Sequence, residues 1–248
     1  MNGGIVLVTG SSGRIGRAAV DELLRRGHAV RGFDRVATPG LTDMVVGTLT
    51  DEAAVTRAVQ GVHTLIHLAA TPDDADFLAE IVPNNIVGVY HVFEQAQQAG
   101  VKRMIVASSG QVVWWQRFRE TGVIDANVAP TPRYWYAAAK LFLEGAGRSF
   151  SEKFGMSVIA VRLGWCPRTR EQVDEIRSEQ WSQDVYLSPG DAGRFFACAV
   201  EAKADIPFAV LYATSKTPRP PYDLDTAKAL IGFEPRESWP QGIEVVVG

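Results

Sequence analysis

The sequence predicts an α/β fold built on a doubly wound parallel sheet, and three observations predict it. Short β-branched runs alternate with longer stretches of helical periodicity through the first two-thirds of the chain. The first run is apolar throughout, as in a strand covered on both faces. A glycine-rich string lies directly between that run and the first helical stretch. Such alternation gives βαβ units, right-handed crossovers and strands that run parallel.

Each element has its own warrant. Ile5-Val6-Leu7-Val8-Thr9 is the first strand. From Arg14 to Arg26, Ile15, Ala18, Ala19, Leu23 and Leu24 fall at helical spacing, and Gly27 ends the helix. Ala29–Phe33 and Met44–Val46 read as strands, Glu52–Val59 as a helix and Thr64–Leu68 as the fourth strand. Phe77–Ala99 is predicted helical in its second part, from about Asn84 or Asn85 to a stop at Gly100. Met104–Ala107 and Val158–Val161 are further strands, with a helix from about Arg133 to Phe154 between them. After Val161 the rhythm weakens. Pro167–Pro189 is polar and strand-poor, Asp191–Glu201 is helical, Ala209–Tyr212 is extended, and Pro218-Arg219-Pro220-Pro221 is a stiff connector.

Composition excludes several classes of function. The chain has 248 residues, enough to bury about 70% of its unfolded surface. Apolar residues at 46% and charged residues at 21% do not fit disorder. A net charge of −3 offers no basic field to nucleic acid or to an anionic membrane. Cys166 and Cys198 are too few for a disulfide framework or a cysteine-rich metal site. His28, His63 and His91 lack metal-ligand spacing, so no metal is expected. No apolar run approaches the roughly 20 residues of a membrane span. Gly3-Gly4 leads straight into the first strand with no basic n-region, so the expected location is the cytoplasm.

Thr9-Gly10-Ser11-Ser12-Gly13-Arg14-Ile15-Gly16 is the most informative string. Between a strand and a helix, Gly10 permits the tight turn, Gly13 lets backbone approach a pyrophosphate, and Gly16 lets helix and strand pack closely. The helix N-terminus then faces phosphate. Asp34 ends the second strand at the distance expected for a carboxylate on the adenosine ribose. A carboxylate repels a 2′-phosphate, which favours NAD over NADP; the neighbouring Arg35 pulls the other way. The chain is therefore expected to be one Rossmann-type domain, with a dinucleotide-binding core at 1–163 and a small substrate-side cap, closing strand and helix at 164–248.

Tyr136-Ala137-Ala138-Ala139-Lys140 puts a phenol and an ammonium on one helical face. Lowering a tyrosine pKa from about 10 to about 7 takes roughly 4 kcal/mol. A cation about 4 Å away at an effective dielectric of about 20 supplies that much. Such a pair can abstract a proton from an alcohol.

Together, these motifs with His67-Leu68-Ala69-Ala70, Asn85 and Ser108-Ser109 resemble the extended short-chain dehydrogenase/reductases, the NAD-dependent epimerase/dehydratase family. Ile231-Gly232-Phe233-Glu234-Pro235 resembles that family's C-terminal motif. Within the family, the length and Val161–Cys166 are similar to uronate dehydrogenase-like sugar dehydrogenases. The resemblance implies NAD as cofactor, Tyr136 as acid/base, Lys140 as its partner on the nicotinamide ribose, and Ser109 on the substrate oxygen. Gly10, Ser12, Gly13, Arg14, Ile15, Gly16, Asp34, Arg35, Leu68, Ala69, Ala70, Asn85 and Leu163 are expected around the cofactor. Thr48-Leu49 stands where the family shows Asp-Leu near adenine. It further implies a homodimer through a four-helix interface formed by the helices near Asn85–Gln98 and Arg133–Phe154.

There are also departures. Uronate dehydrogenases follow the two serines with Asn-His, whereas this chain reads Gly110-Gln111, and they carry a serine where Trp165 stands. Gly110 also takes the third serine-run position, where epimerases often place a Ser or Thr. Arg168, Arg170 and Arg177 are candidates for binding a substrate carboxylate, and Arg170 is set with Ser109, Gln111 and Trp165 among the expected substrate contacts. His67 suits packing, and Cys166 is expected to line the site. Trp114, Trp115, Tyr134 and Trp135 read either as packing or as a stacking wall for substrate. A sugar or sugar-acid dehydrogenase leads; a sugar epimerase/dehydratase and a silent NAD-binding regulator are the alternatives.

Overall fold

A computed structural model describes residues 4–73, 75–119, 122–203 and 205–246. Seven parallel strands form one sheet in the order β3-β2-β1-β4-β5-β6-β7. They are β1 Ile5–Thr9, β2 Val30–Asp34, β3 Met44–Val46, β4 Val62–His67, β5 Arg103–Ser109, β6 Ser157–Leu163 and β7 Phe208–Ala213. The order reverses between β1 and β4, and that is where a crevice opens at the carboxyl edge of such a sheet.

Successive strand residues serve opposite faces, as the pleat requires. Val6, Val8, Ile66, Ile105, Ile159 and Val161 join one core with helices α1 (Arg14–Arg25), α7 (Pro189–Glu201) and α8 (Asp225–Ile231). Leu7, Leu65, Met104, Val106, Val158 and Ala160 join the other, with α2 (Glu52–Val59), α3 (Gly88–Gln98) and α4 (Trp135–Phe154). Two apolar faces explain why the strands read as unbroken apolar runs. A smaller cluster of Val112, Val113, Ile124, Val185, Tyr212 and Tyr222 forms a third core.

The segment after Leu163 divides in two. Helices α5 (Arg170–Ser178) and α6 (Gln180–Asp184) stand over the site, while α7 and β7 belong to the sheet layers. Asp191, fully buried in the first turn of α7, holds the tail. It accepts from Ser215 Oγ (2.8 Å), Arg236 N (2.8 Å) and Glu237 N (3.0 Å). Phe233 of the tail motif packs edge-on against Phe195.

One element departs from expectation. The stretch before α3 is helical from Phe77, not from Asn84, and winds as a π-helix over Phe77–Val87. Asp76 caps it by accepting from Ala79 N (2.7 Å), and Pro83, which has no N–H to donate, sits within it. A π-wound stretch is common beside functional sites.

Helix α7 lies so close to α1 that a Cβ on Gly193 would stand 2.5 Å from Ala18 O. Gly193→Ala must push the two helices apart. The expected cost is about 1–3 kcal/mol, read as a lower thermal midpoint with an unchanged far-UV spectrum.

Candidate active site

The β1–α1 turn is built for close approach. Gly10 has φ +72°, and a Cβ there would stand 2.7 Å from Ala69 N; one on Gly16 would stand 2.0 Å from Gly10 O. Gly13 caps α1 with no side-chain hydrogen bond, and the first turn holds no acidic residue. The first amides of α1 therefore remain available to an anion. Arg14 donates through Nη2 to Gly242 O (3.2 Å), while its buried Nε has no partner. Bare helix amides and an unused guanidinium N–H fit a pyrophosphate, and the glycine contacts leave backbone instead of side chains at that wall.

Thr9 and His67 close the sheet behind this turn. Thr9 Oγ1 accepts from Leu68 N (3.2 Å) and Ala69 N (3.3 Å), which leaves its own proton for His67 Nδ1 (2.8 Å). The imidazole proton then sits on Nε2. Burial first, and the charge of Lys140 second, push the His67 pKa down to about 3. His67 is a neutral structural residue.

Asp34 accepts from Ser12 N through Oδ2 (3.0 Å) and from Arg35 N through Oδ1 (2.7 Å). Each oxygen keeps a further lone pair for a ribose hydroxyl. Ser12 turns its hydroxyl to Val36 O (2.9 Å) and Thr38 (2.9 Å), bracing the loop after β2. Arg35 and Thr48 are exposed, and Leu49 packs in the second core, where a Cβ on Gly88 would meet it at 2.6 Å. Asn85 acts on backbone: it accepts from Thr71 N and donates to Thr71 O, both at 2.8 Å. Asn84 Nδ2 adds a bond to Thr71 Oγ1 (2.9 Å), so the π-wound segment clamps the loop after β4.

A cavity of about 700 Å³ runs from the glycine turn to the serines that end β5. Gly10, Gly13, Arg14, Ile15, Gly16, Leu68 and Ala70 form its first end; Ser12, Asp34, Ala69 and Asn85 do not line it. Ser109, Gln111, Tyr136, Lys140, Leu163 and Trp165 line the rest, with Cys166, whose thiol burial raises to about 11.

Tyr136 and Lys140 occupy the first turns of α4. Lys140 is 5% exposed, its Nζ donates to Ala107 O (2.8 Å), and burial lowers its pKa to about 8. That nitrogen lies 5.5 Å from the Tyr136 ring centroid. The phenol is pushed above its ordinary value, chiefly by burial and then by Asp73; Arg168 and a hydrogen bond with Ser109 oppose this. The lysine alone therefore does not produce a phenolate, contrary to the two-charge arithmetic. Ser109 also accepts from Gln111 N (3.2 Å) at the start of a 3₁₀ segment, Gly110–Phe118. Ser108, one residue earlier, donates to Glu144 Oε1 (2.5 Å).

The far end of the cavity is aromatic and charged. Trp114 lies between two guanidinium groups, Arg117 at 4.0 Å and Arg133 at 4.1 Å from its centroid. Its faces are thereby taken, so it is no stacking platform for substrate. Trp115 and Trp135 are exposed and outside the cavity wall, while Tyr134 lines it. Arg168 lines the cavity and pairs with Asp73. Arg170 and Arg177 lie on exposed turns of α5, where Arg177 pairs with Asp174 at 2.5 Å. Arg117, Trp181 and Tyr222 also face the cavity, and no local pattern in the sequence marks them. Among the described residues no cluster of His, Cys, Asp and Glu could hold a metal, and no helix is long and apolar enough to cross a membrane.

A Rossmann-type sheet with this turn and this Tyr–Lys helix defines a class of dinucleotide-dependent proteins, and comparison with known proteins names the family. The chain belongs to the NAD dependent epimerase/dehydratase family, whose model matches residues 6–165. It is 32% identical to the L-arabinose 1-dehydrogenase (NAD(P)(+)) of Haloferax volcanii, over 94% of this chain and 96% of that one. It is 30% identical to the NAD-dependent glucose-6-phosphate dehydrogenase of the same organism, over 94% and 93%. Among solved structures, glucuronic acid dehydrogenase from Chromohalobacter salexigens superposes with a TM-score of 0.81 at 26% identity, covering 98% of this chain and 88% of that one.

Two predictions follow from this geometry. Asp34→Ala removes a charged acceptor, so NAD affinity should fall about tenfold or more while NADP affinity does not fall, as read by fluorescence titration of both. The second concerns acid. His67 refuses a proton that the unfolded chain takes up below about pH 6.5, so its stability contribution is present above that pH and is lost as pH falls toward 3. Between pH 6.5 and 4.5, His67→Gln should show about 2 kcal/mol less acid-induced loss than the parent in urea titrations.

Proposed function

We propose that the protein is an NAD-dependent dehydrogenase that oxidises a hydroxyl of a sugar or sugar acid. The observation that carries this reading is the placement of Tyr136, Lys140 and Ser109 in the same cavity as an uncapped, glycine-lined helix N-terminus. The family relatives named for arabinose, glucose 6-phosphate and glucuronic acid support a sugar substrate.

The chain's own groups divide the work as follows. Gly10, Gly13, Gly16 and the amides of α1 hold the pyrophosphate, with Asp34 on the adenosine ribose. Ser109 and Tyr136, which line the same cavity, receive the substrate hydroxyl between them. Tyr136 takes the hydroxyl proton. Lys140 spends one proton on Ala107 O (2.8 Å), which fixes the ammonium and leaves its other donors for the nicotinamide ribose. Bound NAD⁺ supplies the hydride acceptor and a positive charge that adds to that of Lys140 in favouring the phenolate. Leu163 and Trp165 shield the reacting carbon from water.

The same reading makes the enzyme a cytoplasmic homodimer. Leu78, Tyr90, Phe142 and Phe154, exposed on the π-helix, α3 and α4, supply the apolar surface for a four-helix interface.

The deciding assay is absorbance at 340 nm with NAD and a panel of aldoses, sugar phosphates and uronic acids. NADH should form with at least one of them. Tyr136→Phe should lower kcat by about a hundredfold or more and leave NAD affinity within about twofold. Undiminished turnover in that variant overturns the mechanism; a nucleotide sugar interconverted with no net NADH favours an epimerase instead.

A further inference from the structure

We infer that Tyr222 is a substrate-binding residue, its hydroxyl bonding a sugar hydroxyl in the space that Gly110 leaves open beside Ser109. The inference rests on the dehydrogenase reading and adds to it a specific contact for substrate recognition.

Tyr222 reaches the cavity from the far end of the chain, and its position is fixed twice over. The backbone on either side bridges to Ile124: Ile124 N donates to Pro221 O (2.8 Å) and Asp223 N to Ile124 O (3.0 Å). The ring stacks on Tyr212 with centroids 4.5 Å apart and planes 9° from parallel, and it meets Trp181 edge-on at 6.2 Å. Tyr212 is held in turn by Arg162 Nη1 (3.0 Å) and donates to Asp125 O (3.2 Å). The stiff Pro218–Pro221 connector therefore delivers a ring with no freedom to turn away.

The tip of that ring fills the volume next to the serine turn. A Cβ on Gly110 would stand 2.7 Å from the Tyr222 hydroxyl oxygen and 3.2 Å from Cζ. Glycine at 110 and tyrosine at 222 are thus one arrangement: a side chain at 110 would need the room the phenol takes. The phenol is 5% exposed, and its hydroxyl has no hydrogen-bond partner among the described residues. That hydroxyl is not sealed off from the cavity, so a group that enters there can bond it. Burial also holds this phenol well above its ordinary pKa, so it stays protonated and can donate.

Gln111, the next residue after Gly110, has its Oε1 buried and likewise without a partner. A polyol meets both needs, because each hydroxyl accepts and donates. A bare carboxylate or phosphate oxygen only accepts, so it would satisfy Tyr222 and not Gln111 Oε1. The two residues mark this part of the cavity for the hydroxyl-bearing part of a sugar.

Tyr222→Phe removes one oxygen and keeps the stack. With the sugar that wild type oxidises in the 340 nm panel, its KM should rise about five- to tenfold, the worth of one neutral hydrogen bond. kcat and NAD affinity should each stay within about twofold. A series of deoxy sugars separates contact from structure. One deoxy analogue should cost wild type that same factor in kcat/KM and cost Tyr222→Phe nothing. Gly110→Ser should clash with the Tyr222 hydroxyl and lower activity. An unchanged KM in Tyr222→Phe, or equal losses in both proteins for every deoxy analogue, overturns the inference while leaving the dehydrogenase reading intact. No turnover by wild type of any sugar overturns both.

Discussion

Glu144 of α4 and Arg162 of β6 meet with both side chains out of water, and the placement of Tyr136 and Lys140 follows from that pair. Arg162 donates to Glu144 through Nε and Nη2, both at 2.9 Å, and Ser108 gives the same carboxylate a third bond. Tyr136, Lys140 and Glu144 recur every four residues, so they share one face of the helix. Docking Glu144 on β6 therefore sets how Lys140 and Tyr136 meet the end of β5. A buried ion pair is seldom a net source of stability. Its contribution here is one of geometry: the carboxylate has three donors, and the guanidinium has a further partner in Tyr212. An apolar replacement could fill the volume but would leave Ser108, and with it the chain leading into Ser109, without its anchor.

How legible this was in the sequence depends on how local each feature is. The strands, the glycine turn and the Tyr136–Lys140 pair are visible because period and spacing encode them within a dozen residues. Asp34 is visible because its distance from Gly10 is set by one βα unit. Glu144 lies on the right helical face, but its partner is in β6, and nothing local joins them. Tyr222 is more remote still; the proline connector before it signals stiffness, not destination. Arg170 shows the resolution of such reading. Thr169 caps α5 by accepting from Gln172 N (3.3 Å), which turns Arg170 onto an exposed helical surface and leaves Arg168 in the loop at the cavity. The π-wound start before α3 escaped because Pro83 argues against a helix that the Asp76 cap and its neighbours nonetheless build.

The electrostatics of Tyr136 reverse the simplest reading of its motif. A cation one helical turn away is enough on paper because that comparison leaves out the cost of taking the phenolate out of water. Burial disfavours the phenolate and also depresses Lys140, so each charge weakens in the setting that brings them together. The pair is thus poised instead of preset. The hydrogen bond from Ser109 and the position of Arg168 lean toward the anion, and Asp73 leans away. Asp73 and Arg168, which pair with each other, act on the phenol in opposite directions.

The two ends of the cavity are made of different materials, and this bears on what can vary between relatives. The end at the glycine turn is mostly backbone: amides of α1, a left-handed Gly10 against Ala69 N, and the Thr71 loop clamped by Asn85. A side chain in place of Gly10 or Gly16 would collide with backbone. The other end is side chains carried on 3₁₀ turns, short helices and the C-terminal connector, held by stacking: Arg117 and Arg133 about Trp114, and Tyr222 on Tyr212. Such contacts are worth about 0.5–1.5 kcal/mol each, so single substitutions can reshape this wall without unfolding the sheet beneath it. A family can therefore keep one cofactor and one proton-transfer helix while its members differ in the sugar they accept. In this chain the glycine at 110 and the phenol at 222 belong to that side-chain wall.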